Sequence, residues 1–176
     1  MPSRNMETLV RKLLEDQGVQ SLPVPVDQVA RKLGAQIRYI PFEGDGEISG
    51  MLFRDSEQAV IGVNSLHHPN RQRFTIAHEI GHLLLHKGTE IHVDKVLFNI
   101  NLRDSESSRA VDRNEIDANR FAAELLMPKH LLTADLEQQD VDLESEEDLS
   151  GLARRYRVSV QALTFRLANL RLISAA

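Results

Sequence analysis

The residues best suited to chemistry in this chain lie in the segment His78-Glu79-Ile80-Gly81-His82. Histidines four positions apart lie on one face of an α-helix, one turn above the other, so both imidazoles can bind the same ion. The glutamate after the first histidine can then act as general base on a metal-bound water. The spacing therefore predicts metal-dependent hydrolysis, with His78 and His82 as metal ligands and Glu79 as the catalytic acid/base.

The residues that flank this motif are uncharged, and no proline interrupts the helical pattern from position 71 to 85. A metal site needs such surroundings, because a low dielectric strengthens the pull of the cation on its water. The alternative interpretation is a buried amphipathic helix whose histidines lie at its edge and bind nothing.

Composition and charge limit the classes of protein to be considered. A chain of 176 residues with 41% hydrophobic and 27% charged residues is long enough for one domain with a sizeable core. Its net charge of −5 argues against a general nucleic-acid-coating protein. The absence of cysteine excludes disulfides and thiolate ligands, so zinc would need nitrogen and oxygen donors. With no signal peptide and no membrane-spanning run, we expect a cytoplasmic protein.

Hydrophobic periodicity predicts where the motif lies in the fold. Apolar residues at helical spacing indicate helices at 5–16 and 26–33, about 69–87, and about 112–127. Runs of β-branched and aromatic residues indicate three strands, at 36–42, 48–53 and 59–63, with a further candidate at 96–102. The order of helices, a small three-stranded sheet and more helices predicts the α+β class.

The C-terminal part separates by charge. Residues 133–148 hold eight acidic residues and no basic one, whereas 151–176 hold five arginines and no acidic residue. We expect a single domain, 1–176, with a catalytic part at 1–132, an exposed acidic connector at 133–148 and a helical pair at 149–176. Residues 152–163 have helix-turn-helix spacing, although Arg157 occupies the turn position where glycine is usual.

A catalytic zinc site usually has three protein ligands, and Glu115 is the candidate for the third. It lies three and seven positions before Ala118 and Ala122, hence on the apolar face of the predicted helix 112–127. A carboxylate on such a face is costly unless it is paired or metal-bound. The alternative is a capping box in which Glu115 pairs with Asp112 as N-cap.

The sequence also predicts the surroundings of four other polar residues. Asn119, one turn beyond Glu115, could hold that carboxylate by a hydrogen bond. Glu124 and Asp117 fall off the apolar face, so we expect them to be solvated. His86 continues the face of the two ligand histidines and is interpreted as a residue of the rim.

Two segments of the chain resemble the signatures of the ImmA/IrrE metallopeptidases. The segment RQRFTIAHEIGHLLLH, residues 71–86, resembles the active-site helix of that family, and EIDANRFAAELLMP, residues 115–128, resembles its second signature. Ile48-Ser49-Gly50 and Val63-Asn64 also fit its strand region, so the likeness extends over nearly the whole chain.

This resemblance implies a minimal zincin-like fold with Zn²⁺ on His78, His82 and Glu115 and with Glu79 as acid/base; Mn²⁺ could bind the same ligands. It also implies cleavage of a helix-turn-helix repressor or antitoxin of the Xre/CI type, which relieves repression. The chain would be a short form, without the C-terminal sensory domain of larger members.

The sequence also offers candidates for substrate binding, and it leaves two alternative functions open. We expect an extended substrate to lie along a strand edge, with 59–64 as the candidate, and Tyr156 is one candidate for stabilising the oxyanion. The main alternative function is a DNA-binding regulator that uses 151–176, in which arginines meet phosphates. A third is a metal-binding protein that sequesters the repressor without cleaving it.

Overall fold

The computed structural model describes residues 3–20, 22–42, 48–55, 58–86, 91–95, 106–139 and 141–173. These residues form seven helices and four strands. The helices are α1 (Ser3–Asp16), α2 (Val26–Lys32), α3 (Pro69–Leu85), α4 (Glu106–Leu126), α5 (Lys129–Gln139), α6 (Glu146–Tyr156) and α7 (Val160–Asn169). The strands are β1 (Ala35–Ile40), β2 (Ile48–Arg54), β3 (Ala59–Asn64) and β4 (Ile91–Lys95). The predicted α+β class is confirmed.

The strands form one sheet in the order β1-β3-β2-β4. β1 runs parallel to β3, whereas β2 pairs antiparallel with both β3 and β4. The three predicted strands are confirmed as β1, β2 and β3, and β4 extends the sheet by a fourth. The further candidate at 96–102 lies outside the described residues.

The position of β3 corrects one expectation about the substrate. Residues 59–64 were the predicted docking edge, but β3 has a neighbour on each side, with Ile61 opposite Ile37 of β1 and Leu52 of β2. Its backbone groups are therefore committed to the sheet. In the described part of the chain the open edges belong to β1 and β4.

Two compact units can be distinguished in the chain, residues 26–122 and residues 1–25 with 123–176. In the first, α3 packs against β2 and β3, and Leu52, Ile61, Ile76 and Ile80 are buried. These side chains come from the sheet and from the helix that carries the histidines, so one core supports both. The single-domain organisation stays a prediction.

The second unit contains helices α1, α5, α6 and α7, and its buried apolar residues include Val10, Leu132, Leu163 and Leu167. Helix α5 takes up residues 129–139 and α6 begins at Glu146, so much of the predicted acidic connector is helical.

Two carboxylates of this unit are buried, contrary to the sequence prediction. Asp135 accepts hydrogen bonds from the Tyr156 hydroxyl at 2.9 Å and from Arg155. Glu124 was expected in solvent but pairs with Arg166 and accepts from the backbone N–H of Lys129 at 3.0 Å. Each lost hydration shell is replaced by charge-assisted hydrogen bonds, which makes the burial tolerable.

Helices α6 and α7 are joined by a tight turn at Arg157, which has φ of 53° in the left-handed region. Its backbone N–H bonds to the last carbonyls of α6, and the Ser159 side chain accepts from the N–H of Ala162 to begin α7. A non-glycine residue adopts this conformation at a cost of about 1 kcal/mol.

Within the described residues, no helix is long and apolar enough to cross a membrane.

The buried Tyr156 hydroxyl leads to a prediction about alkaline pH. Burial, followed by the hydrogen bond to Asp135, raises the pKa of Tyr156 well above its usual value of 10. Tyr156 therefore ionises first in the unfolded chain, so the free energy of unfolding should fall as pH rises above 10. Tyr156→Phe should lower that free energy by about 2 kcal/mol at neutral pH and flatten the alkaline fall.

Urea titrations between pH 7 and 11 measure both effects. Tyr39→Phe is the matched control, since the Tyr39 hydroxyl also donates to a carboxylate, that of Asp27, but its side chain is half exposed. An equal effect in the two variants would contradict the role given to burial.

Candidate metal centre

The residues at the two ends of helix α3 explain where it begins and ends. Its N-cap is His68, whose side chain accepts from the N–H of Asn70, and Pro69 occupies the first turn, where a missing N–H costs nothing. The helix ends at Leu85, where His86 has an extended backbone conformation. Residues 75–82 are all buried, so the motif lies in the interior of the first unit.

The structure brings the three predicted ligands together. Nε2 of His78 and Nε2 of His82 lie 2.9 Å apart, and each is 3.2 Å from a carboxylate oxygen of Glu115. Zinc bonds of 2.0–2.1 Å at tetrahedral angles would separate such donors by about 3.3 Å. Two imidazole nitrogens and one carboxylate are also a donor set suited to zinc. The residues present therefore fit a divalent metal ion.

Helix α4 is longer than predicted, and this decides between the two interpretations of Glu115. The helix begins at Glu106, so Asp112 lies inside it and cannot be its N-cap. The capping-box alternative for Glu115 is therefore wrong. Glu115 is buried on the same side of the helix as Ala118 and Ala122, as the apolar spacing predicted.

The approach of the two helices depends on Gly81, which sequence reasoning treated only as part of the motif. A Cβ at this position would lie 3.1 Å from Cα and 3.2 Å from the carbonyl oxygen of Ala118, and 3.3 Å from Cβ of Phe121. Most of these atoms are backbone, which cannot rotate away. A glycine inside a helical pattern was the available signal for this close packing.

Glu79 is fully buried, between the two ligand histidines in sequence. Its carboxylate lies beside strand β2, because a Cβ on Gly50 would be 3.3 Å from Oε1 of Glu79 and 2.3 Å from Cγ2 of Thr75. Only glycine at this strand position leaves room for the helix. A glycine inside a strand pattern often marks such a close approach, so this residue could have been found from the sequence.

Asn119 contacts one of the predicted ligand residues, but the residue is His78 and not Glu115 as predicted. Its Oδ1 lies 3.0 Å from Nδ1 of His78, and it was expected to bond Glu115. When Nε2 of His78 is the metal ligand, its proton is on Nδ1, which donates to the amide oxygen. Asn119 thereby fixes the ring and tautomer of His78.

His86 lies next to the second ligand, in agreement with its interpretation as a residue of the rim. Its Nδ1 is 3.1 Å from Nδ1 of His82, and the ring centroids are 5.0 Å apart. Both ligand histidines thus have a neighbour at the nitrogen that faces away from Glu115. Tyr156, the candidate for oxyanion stabilisation, has its hydroxyl engaged by Asp135.

Within the described residues, His78, His82 and Glu115 are the one group of three metal-binding side chains whose donor atoms all lie within 4.8 Å of one another.

Known proteins are similar to the segment that carries this site. The model of the IrrE N-terminal-like domain family matches residues 30–168. The radiation response metalloprotease IrrE of Deinococcus radiodurans is 36% identical over 116 residues, 65% of this chain and 32% of that protein. Its namesake in Deinococcus deserti is 37% identical over the same length, 65% of this chain and 38% of that protein.

A phage protein and a solved structure extend the comparison. Uncharacterized immunity region protein 2 of Bacillus phage phi105 is 33% identical over 94 residues, 52% of each chain. The structure of a Mycobacterium tuberculosis transcriptional regulator superposes with a TM-score of 0.66 at 18% identity, covering 94% of this chain and 46% of that one, which shows a shared fold. The chain spans about a third to a half of the length of these proteins.

The packing at Gly81 yields a prediction about metal affinity. Gly81→Ala should push α4 away from α3, lower the free energy of unfolding by about 1–3 kcal/mol and weaken zinc binding, since Glu115 moves with α4. Gly151→Ala in α6 is the control, because the added Cβ would lie no closer than 4.0 Å to its nearest neighbour, Nη2 of Arg154. That change should stabilise the protein by up to about 1 kcal/mol and leave zinc binding unchanged. Thermal unfolding without metal and competition with a zinc-binding dye measure the two quantities; unaltered zinc affinity in Gly81→Ala would contradict the packing argument.

Proposed function

The chain belongs to the IrrE N-terminal-like domain family, and we propose that it is a metal-dependent endopeptidase with a zincin-like fold. His78, His82 and Glu115 would hold the ion, and Glu79 would move the proton. The observation that carries this proposal is the meeting of two imidazole nitrogens, 2.9 Å apart, with one carboxylate from the neighbouring helix, of which each nitrogen lies 3.2 Å from a different oxygen. Two histidines and a glutamate are a recurring ligand set of zinc peptidases.

Zinc is the ion that we propose, because the donors are two imidazoles and a carboxylate; Mn²⁺ could bind the same set. When bound, such an ion polarises the scissile carbonyl and lowers the pKa of its water to about 7. The protein supplies the fixed geometry, in which Asn119 orients one ligand ring and the packing at Gly81 places Glu115.

Glu79 is the residue that we propose as general base and then general acid. It would take the proton of the attacking water and deliver it to the amine nitrogen as the peptide C–N bond breaks. Its complete burial and its position beside β2 restrict the carboxylate to a small volume. Such restriction reduces the reorganisation that proton transfer would otherwise require.

The sheet suggests where an extended substrate would bind. Strand β2 passes beside Glu79, and β4 pairs with β2 and has an open outer edge within the described residues. We therefore place the substrate along β4, antiparallel or parallel to it, where backbone hydrogen bonds would hold the peptide. This replaces the edge at 59–64.

As substrate we propose a helix-turn-helix repressor or antitoxin of the Xre/CI type, whose cleavage would relieve repression. The resemblance to ImmA/IrrE peptidases supports this choice. Two relatives are named as radiation response metalloproteases and a third as an immunity region protein, which fits regulatory proteolysis. A DNA-binding substrate would place the enzyme in the cytoplasm.

The structure weakens the main alternative, DNA binding by 151–176. Of the five arginines that could meet phosphate, Arg166 is buried against Glu124 and Arg155 is paired with Asp135 at 2.8 Å. Arg154, Arg157 and Arg171 are exposed. Phosphate contacts supply most of the affinity of such proteins for DNA. Because Arg155 and Arg166 are already paired with carboxylates, the affinity expected of this segment is lower.

Substitution of Glu79 tests the proposed reaction. Co-expression with a candidate repressor of the Xre/CI type, followed by mass spectrometry, should show one cut peptide bond that disappears when a chelator is added. Glu79→Gln should slow the cut at least about 100-fold and still bind about one zinc per chain, because the ligands remain. Glu115→Gln should lose both zinc and cleavage.

Glu137→Gln is the matched control, since it makes the same chemical change at an exposed glutamate of α5 that does not belong to the group of metal-binding side chains. Cleavage by zinc-loaded Glu79→Gln at the rate of the unmodified protein would refute the role of Glu79. A stable complex with an intact repressor in every variant would instead indicate sequestration.

A further inference from the structure

The C-terminal end of α3 is held by a residue outside both sequence signatures. Arg54, the last residue of β2, donates from Nη1 to the carbonyl oxygen of Leu83 at 3.2 Å and from Nη2 to that of His86 at 2.7 Å. The last carbonyls of a helix have no intrahelical partner, and they carry the negative end of the helix dipole. The guanidinium bonds one of these carbonyls, that of Leu83, and also the carbonyl of His86, the residue that follows the helix, so it holds the helix end and the first residue beyond it.

The position of Arg54 follows from the geometry of β2. Residues 50, 52 and 54 point to the same face of the strand, because side chains alternate. Gly50 lies against Thr75 and Glu79, and Arg54 lies against the last turn of the same helix. β2 therefore contacts α3 on both sides of the pair His78 and His82. At Gly50 the absence of a side chain allows the contact, and at Arg54 a long side chain makes it.

The backbone position of His86 limits where its ring can lie, and the ring lies beside that of His82. Nδ1 of His86 lies 3.1 Å from Nδ1 of His82, whose Nε2 faces His78 and Glu115. With Nε2 of His82 as metal ligand, its Nδ1 carries the proton and donates it to Nδ1 of His86.

We propose that Arg54 is a positioning residue of the metal site, which acts through His86 to orient the ligand His82. The chain of contacts is Arg54 guanidinium, His86 backbone, His86 ring and His82 ring. This inference rests on the proposed function, because it assumes that His82 binds the ion. Removing partners of this kind typically weakens metal affinity about 10- to 100-fold.

Zinc affinity is the readout that separates this role from a merely structural one. Arg54→Gln should raise the zinc dissociation constant at least about 10-fold. Arg38→Gln is the matched control: it removes the same charge from the same sheet, but Arg38 is exposed and its guanidinium donates to the side chain of Gln36, its near neighbour in sequence. It should leave zinc affinity unchanged. Thermal unfolding without metal shows whether each variant folds.

Two substitutions of His86 test the second half of the chain. His86→Leu removes the acceptor and should weaken zinc binding as much as Arg54→Gln does. His86→Asn offers an amide oxygen close to the place of Nδ1, so it should keep zinc affinity within about 3-fold. This variant also tests the inference if His86→Leu fails to fold.

The double variant Arg54→Gln/His86→Leu decides whether the two residues act in series. If Arg54 works through His86, the double variant should bind zinc as His86→Leu does, because the contact is already lost. Dissociation constants that multiply would overturn the proposal, as would wild-type affinity in Arg54→Gln. The absorption spectrum of the Co²⁺-loaded proteins should change in the same order, since it reports ligand geometry. A failure of the unmodified protein to bind zinc at all would refute the proposed function instead.

Discussion

The constraint on which the rest of the first unit depends is the distance between α3 and α4. Two imidazole nitrogens of α3 lie 2.9 Å apart and each is 3.2 Å from a carboxylate oxygen of Glu115 on α4, and side chains as short as histidine and glutamate permit this only if the helix backbones nearly touch. The contact of Gly81 with Ala118 provides that approach. A sheet behind α3 then becomes necessary, because a helix that is buried along residues 75–82 needs apolar partners on its other side as well.

Burying four titratable groups in one core has a cost that packing alone does not offset. His78, Glu79 and His82 are nearly inaccessible to water, and Glu115 is buried beside them. Burial removes the hydration of these polar groups at a cost, and a bound cation would replace the lost hydration. Metal binding and folding of this unit should thus be coupled, because the ion binds a set of donors that the unfolded chain does not assemble.

The sequence predicted that His78, His82 and Glu115 lie together because helical spacing is a local property. His78 and His82 follow from a four-residue separation, and Glu115 from its place on an apolar face. What it missed depends on tertiary contacts. The start of α4 at Glu106 removed the capping alternative, and the central place of β3 removed a docking edge. Composition likewise suggested that Asp135 and its neighbours are solvated, because a run of acidic residues does not reveal an arginine that packs onto it from another helix.

His78 and His82, the two histidines proposed as ligands, belong to one motif but contact different parts of the structure. Nδ1 of His78 faces Asn119, which lies on the same helix as Glu115, so one movement of α4 would displace a ligand and the partner of another. His82 is connected through His86 and Arg54 to strand β2. Helix α4 and the sheet therefore act on α3 from separate directions, and the ligand geometry is retained only while both contacts hold. Because β2 also passes beside Glu79, the strand that holds one ligand also confines the proposed base. A change in β2 should accordingly affect metal affinity and proton transfer together, whereas a change at Asn119 should act mainly on the metal.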